Sequence, residues 1–307
     1  MSHAVAAKPN TDHTGGTSFT HISGSRKAKD KIATGIVYLA MILALTPLIW
    51  VLANVLIKGL PALLSPDWWA YDMVGQPNSK PGGGIAHAIV GTLVQVLVTS
   101  LLSIPIGVFT AVYLVEYSRG GWLGRMTTFM VDILTGVPSI VAALFIYALW
   151  VTTLGFDRSG FAVSLALVLL MVPVIVRNTE EMLRIVPMDL REASYALGVP
   201  KWKTILKIVL PTALSGIVTG IMLAVARVMG ESAPVLILVG STPAINWNPL
   251  EGNQNSLPLF MLQMFRAGSQ GAVLDRVWGA ALTLVLLVAL LTIGARLIAK
   301  RFSVKVS

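Results

Sequence analysis

The stretch RNTEEMLRIVPMDLREASYALGVPKWKTILKIVLP, residues 177–211, decides how this chain is read. It packs ten charged side chains into 35 residues of a 307-residue chain that is otherwise poor in charge, only 12% charged against 55% hydrophobic. Soluble domains carry roughly 25% charged residues, so this composition cannot clothe a water-exposed surface and excludes both a soluble globular enzyme and a disordered chain. On either side of the charged island lie uncharged runs, 159–176 and 208–226. Each is close to the about 20 apolar residues that a helix needs to cross a bilayer core. The island is therefore a loop between two membrane spans.

Working outward, Lys31 and Lys58 bracket 32–57, and Lys80 and Glu116 bracket 81–115. The run 133–156 continues a helix that starts near Met126, and 277–295 closes the series. The expected architecture is an all-α membrane protein with six transmembrane helices, the fourth being the shortest. Residues 1–31 read as a disordered tail, 32–57 as a first transmembrane anchor too long and too late to be a secretory signal, and 85–299 as the main membrane domain. Thr204 to Gly240 is too long for one straight span and is interrupted by Pro211, Gly216, Gly220, Gly230 and Pro234. A span followed by a short broken or re-entrant piece is expected there. Such backbone persists at membrane depth only where protein or a wet cavity satisfies it, which makes this region a candidate translocation path. In the outer loop 58–84, Trp68, Trp69 and Tyr71 are expected to form an interfacial aromatic belt.

Counting Lys and Arg loop by loop, with the N-terminus inside, gives 17 on the inner side and five on the outer. That asymmetry places both termini in the cytoplasm and accounts for the net charge of +9 without invoking nucleic acid. The absence of cysteine excludes disulfides, thiol nucleophiles and Cys-based metal centres. Gly-Lys never occurs, so no Walker loop is present and the chain does not hydrolyse ATP by itself. His3, His13, His21 and His87 lack metal-ligand spacing, and neither Gly-x-Ser-x-Gly nor His-Glu-x-x-His is found. No cofactor, metal or catalytic residue is expected.

Inside the island a short helix carries its own punctuation. Asp189 is a suitable N-cap, Glu192 stands three residues on as in a capping box, and Leu190–Leu197 are mostly good helix formers. Gly198 suits the left-handed position past the helix end, and Pro200 blocks continuation. The small residues Ala193, Ser194 and Ala196 would admit another protein closely. From the residues alone, the helix either covers the inner ends of the spans or docks a cytoplasmic partner.

The segment Glu192-Ala193-Ser194-x3-Gly198-x9-Ile208-x-Leu210-Pro211 resembles the EAA signature of permease subunits of bacterial ABC importers. The single departure is Ser194, where the family pattern has a second alanine. Gly136-Val137-Pro138-Ser139-Ile140, Thr179-Glu180-Glu181 and Ala226-Arg227-x-x-Gly230-Glu231-Ser232-Ala233-Pro234 further resemble the phosphate-specific permeases of that family. The resemblance covers roughly 85–299. It implies a type I importer permease (MetI-like) core in which the loop 177–203 carries a coupling helix seated in a cleft of a separate ATPase. Glu192, Ala193, Ser194 and Gly198 would then be the coupling residues. The implied partners are a homologous sister permease, two ATP-binding subunits and an external phosphate-binding protein.

Arg227 and Glu231 are charges inside a span, which are costly and often mark a pathway. At i,i+4 spacing they would pair if the helix continued through Gly230, locking a broken helix. Alternatively, Arg227 meets a passing anion, its forked donors matching phosphate oxygens, while Glu231 moderates the attraction. The resemblance favours this path role. Asp132 reads as a structural acid near the inner interface. Gly216 and Gly220 read as a close helix-packing pair. Rival functions are a permease for another oxyanion such as molybdate or sulfate, an ion-coupled secondary transporter, and a membrane scaffold that docks a kinase.

Overall fold

The computed structural model describes residues 24–78, 80–118 and 120–302, and among these no strand occurs. Two compact units are distinguished, Met1–Leu52 and Ala53–Ser307. In the first, the described part is the N-terminal portion of α1 (Gly24–Leu63), whose apolar side chains, among them Ile36, Leu39, Leu43 and Leu48, are exposed. The anchor expected at 32–57 is thus part of a longer helix that takes in residues 24–31. The tail expectation for residues 1–23 lies outside the described residues.

The second unit continues with α2 (Pro66–Ala70) and α3 (Ala86–Val112), the latter extended by a wide π-type turn at Tyr113–Tyr117. Then come α4 (Trp122–Gly136) and α5 (Ser139–Ile146), which is prolonged by a second wide turn, Tyr147–Thr153. The next helices are α6 (Gly160–Ile185), α7 (Met188–Ala196) and α8 (Lys201–Thr204). A third wide turn, Ile205–Val209, leads into α9 (Leu210–Met229). The chain ends with α10 (Ala233–Leu238), α11 (Leu257–Ala267) and α12 (Gly271–Phe302). Among the described residues, five helices are long and apolar enough to cross a membrane, or six spans if α4 with α5 counts as one.

Three expectations change here. The third span is not one helix: α4 and α5 meet at 108°, because Val137 and Pro138 adopt extended backbone and Pro138 opens the new helix. The run 159–176 is the middle of the bundle and not its weakest member. Its helix α6 has 26 residues and continues through Arg177–Ile185, so the inner loop begins later than 177. Trp68 is not an interfacial residue: it is buried and its Nε1 donates to Thr283 Oγ1 at 3.0 Å, whereas Trp69 and Tyr71 are exposed.

Packing follows from small residues. A Cβ on Gly107 of α3 would stand 2.6 Å from the Ile175 side chain, and one on Gly220 of α9 would stand 2.7 Å from the Asn178 Cβ. Both helices therefore lie against α6 at a separation that only glycine permits. Around α6 the apolar core has a central cluster that includes Leu167, Met171, Val228 and Leu238, and a second that includes Val131, Leu183, Val209 and Ile217. A third, with Trp68, Ile85, Leu257 and Phe260, joins the start of α3 to α11 and α12.

The backbone after α10 is irregular yet well satisfied. Phe161 N donates to Pro249 O at 2.7 Å, Gln95 Nε2 to Gln254 Oε1 at 3.1 Å, and Leu257 N to Thr92 Oγ1 at 2.9 Å. Gly91 lets the Asn255 carbonyl come close, since a Cβ there would lie 1.9 Å from its oxygen. On the same side, buried Arg276 donates to the carbonyl oxygens of Asn78 (3.2 Å), Lys80 (2.7 Å) and Gly82 (2.7 Å), tying the 72–84 segment to α12.

Candidate coupling helix and translocation face

Pro187 is the residue that begins α7: its backbone is extended, and no side chain caps the first turn. Asp189 therefore lies inside the first turn, where its carboxylate favours the positive helix end without the capping box the sequence suggested. The other end is as expected. Gly198 takes φ +73 just past the helix, a conformation disfavoured for any residue with a Cβ, and Pro200 opens α8.

Helical periodicity then sorts the side chains. Glu192, Ala193, Tyr195 and Leu197 are exposed, as is Gly198. Arg191 and Ser194 are buried. Ser194 thus departs from its expected place on the docking face: its Oγ lies 2.8 Å from Thr204 Oγ1, so it joins α7 to α8. The outward surface carries the carboxylates of Asp189 and Glu192, the small Ala193 and Ala196, and the apolar Met188, Tyr195 and Leu197, the last 83% exposed.

Sequence reasoning missed what holds this helix. Arg191, one of ten charges in a polar loop, reaches the wide turn at the end of α3 and donates to Glu116 Oε1 through Nε (3.1 Å) and Nη2 (3.0 Å). Its remaining donors go to Val186 O at 2.7 Å and Leu183 O at 2.9 Å. Both charged side chains are buried. Breaking such a pair strands a buried charge and costs about 3–5 kcal/mol. Lys201 Nζ donates to the Glu116 carbonyl oxygen and lies 4.8 Å from the centre of the Tyr117 ring. No local signal reveals this, because partners 75 residues apart show no spacing rule.

Beside it runs a second ionic chain. Arg177 pairs with Asp132 and, at 2.9 Å, with Glu180, whose other oxygen accepts from Arg184 at 2.5 Å. Asp132 is accordingly a structural acid joining α4 to α6.

Arg227 lies in the last turn of α9, which ends at Gly230. Because the helix stops there, the condition for an i,i+4 pair with Glu231 is not met. Neither side chain makes an ion pair or hydrogen bond with a described residue. Arg227 is exposed and Glu231 half-buried. Their depth follows from register: Gly216 meets Met182 and Gly220 meets Asn178, so α9 runs antiparallel to α6. Seven residues past Gly220, about 10 Å at 1.5 Å per residue, Arg227 stands beside the middle of α6. The region Thr204–Gly240 is indeed a span followed by a short separate helix, α10, which packs on α5 and α6.

An all-helical bundle among the described residues, with an exposed helix held at the turn between two spans, fits one class that the family match then shows, the membrane subunit of a binding-protein-dependent transport system. Residues 103–307 match the family described as "Binding-protein-dependent transport system inner membrane component". The chain is 53% identical over 268 residues to the "Phosphate transport system permease protein PstA" of Mycobacterium leprae (strain TN), covering 87% of this chain and 88% of that protein. It is 39% identical to the protein of that name from Haemophilus influenzae (strain ATCC 51907 / DSM 11121 / KW20 / Rd), covering 89% and 94%. Among solved structures, the bacterial alginate ABC transporter in complex with its pentasaccharide-bound periplasmic protein has a chain aligning at TM-score 0.60 and 14% identity, over 90% of this chain and 96% of that one. The inward-facing MetNI methionine ABC transporter aligns at 0.55 and 21%, over 72% and 94%. These two carry the fold alone. The chain belongs to the binding-protein-dependent transport system inner membrane component family and, within it, to the PstA permeases. It is an integral inner-membrane protein with the type I importer permease fold.

Proposed function

We propose that the chain forms half of the phosphate path of an ATP-driven importer, beside a PstC-like sister permease, above two PstB-like ATP-binding subunits and beneath an external PstS-like phosphate-binding protein. Both termini lie in the cytoplasm, and residues 85–299 are the transporting core. The observation that carries the path is Arg227: a guanidinium beside the middle of a span, exposed on this chain and unpaired among the described residues. Left against lipid it would cost at least about 3 kcal/mol, so its face is covered by water or by the sister chain. There its forked donors meet the anion, and Glu231 one turn away keeps the attraction weak enough for release. Glu192, Ala193 and Gly198 form the surface that enters the ATPase, with Ser194 holding that surface in place from beneath. Chemistry resides in the partner; this chain supplies the path and the coupling.

Vesicles holding all four components test the reading. ATP-dependent uptake of labelled phosphate, resistant to excess sulfate or molybdate and reduced at least about ten-fold by Arg227→Gln, is expected for a charge that contributes 1.4 kcal/mol or more to passage. Uptake displaced by sulfate or molybdate would assign another oxyanion. A normal rate in an assembled Arg227→Gln complex would remove Arg227 from the path.

A further inference from the structure

The coupling helix has to act on something, and the described structure offers one polar route upward from it. Glu116 is held twice: its carboxylate by Arg191 of α7, and its backbone carbonyl by Lys201 of α8. These two attachments lie on opposite sides of the turn Leu197–Pro200, and Ser194 with Thr204 closes the same turn internally at 2.8 Å. The α7–turn–α8 unit is therefore one body gripping the end of α3.

Glu116 itself belongs to the wide turn Tyr113–Tyr117, and α8 runs directly into another, Ile205–Val209. Wide turns of this kind interrupt the regular helical hydrogen-bond ladder and recur at functional positions in helices. Both thus fall where the gripped body joins a membrane span, one at the end of α3 and one at the start of α9. A cleft of about 480 Å³ lined by Glu116, Arg184, Met188, Arg191, Tyr195 and Lys201 lies alongside, leaving room for the unit to rock.

We propose that Glu116, Arg191 and Lys201 are the positioning residues through which displacement of the coupling helix is delivered to α3 and α9, with the two wide turns as the segments that yield. None of the three touches the transported anion. This inference rests on the importer reading and adds the route by which the ATPase stroke reaches the spans. A push on Glu192 or Leu197 moves α7; the buried Arg191–Glu116 pair passes it to α3, and the α8 junction passes it to α9. Without the pair, α7 can move while α3 stays, so ATP is consumed without opening the path.

The test is a ratio. In the complete complex reconstituted in vesicles, ATP hydrolysed per phosphate imported is measured for Glu116→Gln, Arg191→Lys and Lys201→Met. Counting only complexes purified through a tag on the ATPase removes unassembled chains from both terms. A rise of about ten-fold in the ratio is expected for Glu116→Gln and Arg191→Lys, within the range of coupling free energies between linked sites. For Lys201→Met, which spares the buried pair and is the least disturbing to folding, a rise of about five-fold is expected, at the lower end of the same range. Import and hydrolysis falling together, so that the ratio holds, would show these residues to be merely structural and overturn the route. An unchanged ratio at normal activity would overturn it equally. The wild-type complex separates this from the importer reading: if it imports another anion, or none with ATP, that reading fails whatever the variants do.

Discussion

The contact between α6 and α9 offers an experiment with its own control, four residues apart on one helix. A Cβ at Gly220 would stand 2.7 Å from the Asn178 Cβ, 2.1 Å from its Cγ and 1.8 Å from its Oδ1. Carbon atoms in contact settle at roughly 3.5–4.0 Å, so the Cβ–Cβ approach is short by about 1 Å. Rotation about χ1 can swing Cγ and Oδ1 away, but the Asn178 Cβ is fixed to the α6 backbone. In Gly220→Ala the two helices must therefore part, with the central and inner apolar clusters losing contact between them.

At Gly216 the added Cβ would meet Met182 at Sδ (2.2 Å) and Cγ (2.8 Å), while the Met182 Cβ stands at an ordinary 3.5 Å. A thioether with three rotatable bonds can move out of the way. We expect Gly220→Ala to destabilise by about 1–3 kcal/mol, as over-packing does, and Gly216→Ala by under about 1 kcal/mol. Thermal unfolding of the purified permease in detergent, both variants in parallel, measures the difference. If Gly216→Ala lowers the midpoint as much as Gly220→Ala, the rigid-backbone argument is wrong.

Three other outcomes are expected. Glu192→Lys changes only an exposed side chain, so it should abolish ATP-dependent uptake while leaving the unfolding midpoint of the isolated permease unchanged; a shifted midpoint would count against an outward, partner-facing role. Thr283→Val leaves the buried Trp68 Nε1 without its acceptor and should cost about 1–3 kcal/mol, a loss partly recovered when Trp68→Phe is added, which a double-mutant cycle in thermal unfolding would reveal. Arg276→Met releases three carbonyl oxygens of the 72–84 segment, and subtilisin cleavage within residues 72–84 should accelerate at least about ten-fold, since hydrogen bonds to a charged donor are worth roughly 1.5–3 kcal/mol each; unchanged cleavage would mean the segment is held elsewhere.

What could be read in advance was what repeats along the chain or sits at short spacing. The spans show as uncharged runs, and Gly198 announces its left-handed turn because no other residue adopts it as cheaply. The short helix α7 shows through its run of helix formers and through the Gly198–Pro200 stop. What escaped was set by contacts across the bundle. The helix start moved from Asp189 to Pro187 because the preceding extended backbone, and no side chain, ends α6. The run 133–156 read as one helix and holds a 108° corner, since Val137 and Pro138 are both extended. Glu116 and Arg191 each look like solvated loop charges until folding brings them to 3.0 Å. Trp68 looked like a membrane-surface anchor until α12 supplied Thr283. For Arg227 and Glu231 the sequence left a pairing conditional on a helix continuing through Gly230, and the helix ends there.

The inward turn of Ser194 has a consequence for how such chains diversify. The residue replaces the alanine of the family pattern, and its hydroxyl is spent on Thr204. Alanine at 194 would leave the Thr204 hydroxyl only its long 3.4 Å bond to the Pro200 carbonyl. Homologous chains should therefore inherit the two hydroxyls together or lose them together, and an ancestral substitution at one position should be followed by change at the other. The variable letter of the signature would then record, not a change in what the ATPase touches, but a private agreement between two neighbouring turns.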